Sequence, residues 1–283
     1  MVERRQLDGN QSAAAGQVRP LVLFLFLSHL GLGIVFTLVF VSREAGVKFF
    51  RFNAGLAAGL LACAFAFRPL DAGGAVAGVA FYALAAAEAA VVLYWATVGR
   101  ALAAFRPAIT GVACVGGLVA LVGQAIDLAS GRGLAASGLT IASFLSSSVF
   151  LGGACTATIL GHWYLVIPSL PVTHLQSIVK LHIASMAVRA AAVAAAVFFA
   201  IATWEPGLGP SFRHYILSVS GVFFWQRVLF GLAGPALLSY LTWETAKIRS
   251  TQSATGILYV DFFTVVVGEV LAKYLLLATR VPV

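Results

Sequence analysis

The chain has 283 residues, of which 61% are hydrophobic and only 10% charged, and its mean hydropathy is +0.98. A soluble domain carries roughly 25% charged residues, so this composition excludes a water-soluble globular protein and leaves lipid as the main solvent. The formal charge of +8 does not point to nucleic acid, because most Lys and Arg fall in short loops or tails, where they snorkel and meet anionic lipid.

In chain order, residues 1–19 read as a polar N-terminal tail and 20–283 as a single transmembrane helical domain. Arg4 and Arg5 stand far from the first apolar run, which is longer than a secretory signal core, so that run is expected to remain as a mature helix. Apolar runs occupy 20–42, 49–67, 75–97, 108–128, 137–166, 173–203, 215–243 and 257–279. Each is long enough to cross a hydrocarbon layer of about 30 Å. Without water to satisfy the backbone, such runs must be helices. The expectation is an all-α, polytopic transmembrane bundle of about eight helices with no soluble domain, embedded in the lipid bilayer of a cell inner or plasma membrane.

The breaks between runs carry proline, glycine or charge, as at Arg68-Pro69, Pro168 to Pro171 and Glu205 to Phe212, and none has room for a catalytic domain. Lys and Arg divide evenly between the two sides, so the positive-inside rule does not orient the chain. Small residues are dense, as in Ala83-Leu84-Ala85-Ala86-Ala87 and Gly152-Gly153-Ala154, and Gly31 and Gly33 read as packing notches that let helices approach closely. Cys63, Cys114 and Cys155 lie singly, without metal or haem-attachment spacing, and read as packing residues. The halves show no inverted repeat of the kind common in secondary transporters.

Ionisable groups within a membrane helix are expensive and therefore functional candidates. They are His29, Glu88, Asp127, Lys180, His182, Arg189, Arg227, Asp261, Glu269 and Lys273. On the sixth helix His174, His182 and Arg189 fall at offsets 0, 8 and 15, within about 80° of the helix circumference, and the two histidines are about 12 Å apart along the axis. They line one face leading inward from a membrane surface. Just before it, His162, Trp163 and Tyr164 precede a proline-stiffened turn, which reads either as an ordinary aromatic belt or as part of a site shared with His174. Glu269 and Lys273, four residues apart, can neutralise one another, while Asp261 has no partner on its own helix and is expected to meet Arg189 or Arg227.

Imidazoles that titrate near neutrality, carboxylates that relay protons and an apolar cleft suit a quinone or quinol. The candidate contacts to menaquinone or ubiquinone are His162, His174 and His182 with Trp163 and Tyr164, and Arg189, Asp261 and Glu269 serve as relay or orienting groups. The chain then reads as a subunit of a redox complex with further subunits as partners. A b-type haem held by His29 and His182 is the nearest alternative, followed by a small-solute transporter or a scaffold subunit. No nucleotide-binding glycine loop, zinc motif or nucleophile with a base is present.

The closing run Gly268-Glu269-Val270-Leu271-Ala272-Lys273-Tyr274-Leu275, with Trp225-Gln226-Arg227-Val228-Leu229 in the helix before, resembles the membrane-anchor subunits of dimethyl-sulfoxide reductase and, more distantly, of polysulfide and nitrite reductases. The likeness is confined to the last two crossings, and Lys273 stands where that family has arginine. It implies a quinol-reactive anchor without its own haem that exchanges electrons with an iron–sulfur partner.

Overall fold

A computed structural model describes residues 2–68, 74–167, 170–204 and 211–283, with the backbone alone described for 2–18. The expected breaks at Pro69, Pro168 and Glu205 lie outside the described residues. Among those described, every element is helical, and eight segments are long and apolar enough to cross a membrane. The chain is thus a polytopic helical membrane protein.

The helices are α1 (Val2–Leu38), α2 (Gly46–Ala66), α3 (Ala75–Thr97), α4 (Arg106–Leu128), α5 (Gly133–Val166), α6 (Val172–Ala202), α7 (Phe212–Leu217), α8 (Val222–Val228), α9 (Gly234–Lys247) and α10 (Thr251–Thr279). The seventh crossing, Val219–Lys247, is not the continuous helix its hydropathy predicts. It is α8 and α9 joined by a π-helical turn at Leu229–Ala233. The cause is Pro235: it has no N–H for the helix ladder, and its ring crowds the carbonyl four residues earlier, so the backbone widens there. The eighth crossing begins at Thr251, six residues before its apolar run.

Antiparallel crossings place the chain termini, the α4–α5 turn and α7 at one face of the bundle, here the terminal face. The α1–α2, α5–α6 and α9–α10 connections lie at the opposite face. Helices α1, α5 and α10 form the centre, since α1 and α10 both pack on α5 and on each other, while α2 to α4 flank one side and α6 and α9 the other. The window of α1 that crosses is 83% buried.

Lipid offers no hydrophobic drive for helices to associate, so this centre is held by close packing and interhelical hydrogen bonds. A Cβ on Gly33 would stand 2.0 Å from the Ser148 carbonyl oxygen, and one on Gly152 would stand 2.0 Å from the Gly33 backbone, so both glycines are required where α1 crosses α5. Ser148 Oγ donates to the His29 carbonyl at 2.9 Å, and Thr37 and Thr156 hydroxyls meet at 2.8 Å across the same interface. On the other flank Thr158 donates to the Leu258 carbonyl of α10 at 3.0 Å. Each such bond contributes about 0.6 kcal/mol.

Candidate functional site

Three basic residues on one face of α6 each meet a carboxylate from a different level of the bundle. At the opposite face His174 Nε2 lies 2.6 Å from Glu44 Oε2 in the α1–α2 connection. Further in, His182 Nε2 lies 2.8 Å from Asp261 Oδ2 of α10, with both side chains fully buried. Deeper still, Arg189 reaches Glu269 of α10, Nε to Oε1 at 2.8 Å and Nη2 to Oε2 at 3.2 Å. Steps of eight and seven residues are about 12 Å and about 10 Å of helix rise, so the pairs form a ladder along α6 whose two inner rungs reach α10.

The pairing follows from stagger. Helices α6 and α10 run in the same direction, and Asp261 precedes Glu269 by nearly the same rise as His182 precedes Arg189. Asp261 therefore meets His182, and not Arg189 or Arg227 as the sequence led us to expect. Between the two helices α5 presents small side chains that leave room for the long ones to reach across. Gly153 faces His182 so closely that a Cβ there would touch the imidazole at 3.4 Å, and the ring stacks on Phe150 at 5.2 Å between centroids. The His182–Asp261 contact is short but not aligned as a hydrogen bond, and neither imidazole nitrogen has a hydrogen-bond partner among the described residues.

Glu269 is the hub of the deepest rung. Besides Arg189 it accepts from Arg227 Nη2 at 2.9 Å and from Ser147 Oγ at 2.6 Å, and Lys273 Nζ lies 3.6 Å away. Lys273 donates to the same Ser147 oxygen at 2.6 Å. Arg189 completes its fork with Ser143 Oγ at 2.8 Å and the Val283 backbone oxygen at 3.1 Å. One carboxylate thus answers three cations in a fully buried region, which makes it the least replaceable charge among the described residues. The π-turn contributes here: it brings Gly231 against Gly268, where a Cβ would stand 2.1 Å from the facing Cα. That contact leaves the Arg227 guanidinium a slot, which a Cβ on Gly231 would enter at 1.9 Å from Nη1.

The remaining sequence candidates stand apart from this ladder or brace it. His162 is exposed and meets the Tyr259 hydroxyl at 3.0 Å. Trp163 Nε1 donates to the Ala45 carbonyl at 3.2 Å, and the Tyr164 hydroxyl donates to the Pro171 carbonyl while accepting from the Leu175 N–H at 3.2 Å. Trp163 and Tyr164 therefore tie loop ends together. His162, His174 and His182 hold three different partners and do not converge on one hollow, which differs from the shared cleft the sequence predicts: two lie on a helix face at levels about 12 Å apart and the third on another helix. His29 and His182 share no partner either. His29 faces Ser147 at 3.4 Å and the edge of Phe144, and no group of three or more His, Cys, Asp or Glu among the described residues is arranged to hold a metal ion.

Sequence reasoning did not single out Ser143, Ser147, Glu44 or Tyr259. The cluster Ser143, Ser146, Ser147 and Ser148 in an otherwise apolar run was the available signal for the first two, whereas Glu44 and Tyr259 look like ordinary loop and interface residues. Lys180, also on α6, leans over the Trp243 ring at 5.1 Å, outside the ladder.

Glu44 is 63% exposed, and ion pairs of that kind contribute less than about 1 kcal/mol. Glu44→Gln should therefore leave the thermal midpoint in detergent essentially unchanged, and a drop comparable to that of a Glu269 variant would show that the outer rung is structural.

No known family model matches this chain, and no curated protein matches it.

Proposed function

We propose that this protein is the integral-membrane subunit of a respiratory redox complex in a cell inner or plasma membrane, and that it serves a quinone/quinol couple by handling its protons. The observation that supports this is the ladder, in which an imidazole–carboxylate pair at the surface and a second, fully buried one lead to a fixed charge hub. Reducing a quinone to a quinol takes up two electrons and two protons, so a lipid-borne quinone needs a route by which protons reach or leave it. Imidazole beside carboxylate provides such a relay near neutral pH.

In this reading His182 and Asp261 are the movable proton couple. Glu269, held by Arg189, Arg227 and Lys273, sets the local field and keeps its charge. Glu269 and Lys273, which fall on the matched positions of the likeness to the dimethyl-sulfoxide reductase anchors, with Lys273 in place of that family's arginine, both belong to the hub. That likeness supports menaquinone or ubiquinone as the ligand and an iron–sulfur subunit as the electron partner. His182 acts through the relay and does not touch the ring, while His162 and His174 are held at the surface by other partners.

Lipid extracts of the purified protein are expected to contain quinone in stoichiometric amount. In native membranes His182→Ala and Asp261→Asn should each lower quinol-dependent turnover by about 10²-fold, the range of one proton-transfer group, at unchanged protein abundance. Wild-type rates in both variants would contradict the proposal.

The competing reading is a b-type haem on His29 and His182, and one observation favours it. Both rings are fully buried, and His29 Nε2 and His182 Nδ1 lack a hydrogen-bond partner among the described residues. A Soret band lost in both His29→Ala and His182→Ala would replace the quinone reading, whereas a reduced-minus-oxidised spectrum without Soret change removes the haem.

A further inference from the structure

At the terminal face, beyond the deepest rung of the ladder, a recess of about 200 Å³ opens between the start of α5, the ends of α6 and α10, and α7. Its walls are mostly apolar, built from Leu139 of α5 and Ala196, Phe199 and Ala200 of α6 with Phe212 of α7 and Val281, and Thr203 and Thr279 add two hydroxyl-bearing side chains. Arg132 stands at its rim immediately before the first residue of α5. No carboxylate is among the described residues that line it.

Three features concentrate positive potential there. Arg132 has no hydrogen-bond or ion-pair partner among the described residues. Arg280 stands between Thr279 and Val281, which both line the recess, and burial and then the charge of Arg280 push the Arg132 guanidinium below its ordinary value. The start of the 34-residue α5 adds unpaired backbone N–H groups and the positive end of its dipole. Two neighbouring arginines that no carboxylate among the described residues pairs with repel one another, and an anion between them removes that repulsion. The level is that of the headgroups, since Arg132 and Arg280 each sit at the end of a crossing.

We propose that this recess binds one anionic phospholipid, its phosphodiester between Arg132 and Arg280 and an acyl chain along Ala196, Phe199 and Ala200. Apolar walls explain why a lipid is favoured over a free anion: phosphate alone satisfies the arginines but leaves the recess unfilled. A zwitterionic lipid fills the recess, but brings its own cation to a site already positive.

The test uses the full chain, delipidated in detergent and then offered phosphatidylglycerol, phosphatidylcholine or inorganic phosphate, with retention read by native mass spectrometry and stabilisation by thermal midpoint. The wild type should retain phosphatidylglycerol at least tenfold better than phosphatidylcholine and gain nothing from phosphate. R132Q/R280Q should erase the preference between the lipids, and Ala200→Phe, which fills the recess and keeps the charges, should lower phosphatidylglycerol retention. Both arginines are at least partly exposed, so the double variant tests the charge even if Ala200→Phe does not fold. Equal retention of the two lipids, unchanged retention in R132Q/R280Q, or stabilisation by phosphate alone that Ala200→Phe leaves intact would each overturn the proposal.

Discussion

Replacing Glu269 by Gln should be the most damaging single substitution in this protein, removing most of the folded, monodisperse population in detergent. Glu269 is fully buried and is the carboxylate that answers Arg189, Arg227 and Lys273. Removing one partner of a buried ion pair costs about 3–5 kcal/mol because the other charge stays behind without compensation. Here three cations stay behind. Lys273→Met removes a cation from an over-supplied hub and should cost much less, and the combination of both changes should cost less than their sum, since the residues are coupled. Thermal midpoints and the monodisperse fraction on gel filtration measure all three. Additive losses would mean that Lys273 and Glu269 do not act on one another.

The second large effect is expected at the α1–α5 crossing. Gly152→Ala places a methyl group 2.0 Å from the Gly33 backbone. A flexible side chain can move aside, but two helix backbones cannot separate without losing the Ser148–His29 and Thr37–Thr156 hydrogen bonds. Overpacking costs about 1–3 kcal/mol and occasionally more, and backbone against backbone belongs at the upper end. Gly138→Ala, on the same helix but facing open space, supplies the control and should be neutral or slightly stabilising. Equal behaviour of the two variants in a thermal melt would contradict the packing account.

Much of the fold was legible because hydropathy and length leave a membrane chain few options: α3 was expected at 75–97 and is found at Ala75–Thr97. The break in the seventh crossing was hidden, since a window average over 215–243 registers an apolar run and is blind to the N–H that Pro235 lacks. On α6 the shared face of His174, His182 and Arg189 follows from residue spacing alone. Their partners do not, because the axial stagger of α6 against α10 decides which carboxylate stands at which level, and stagger is set by packing through α5. That is why Arg227 and Arg189 were expected at Asp261 and are found at Glu269. It is also why imidazoles that share a face do not share a hollow. Ser147, which bridges Glu269 and Lys273, looks in sequence like any small residue between packed helices.

The central claim is that the buried His182–Asp261 pair exchanges protons with a quinone couple. The most direct measurement is a reduced-minus-oxidised infrared difference spectrum of the quinone-loaded full chain in lipid, compared with His182→Ala and Asp261→Asn. The account predicts carboxyl and imidazole bands that accompany the quinone bands and disappear in the variants. Quinone bands with an otherwise identical spectrum in all three proteins would contradict it.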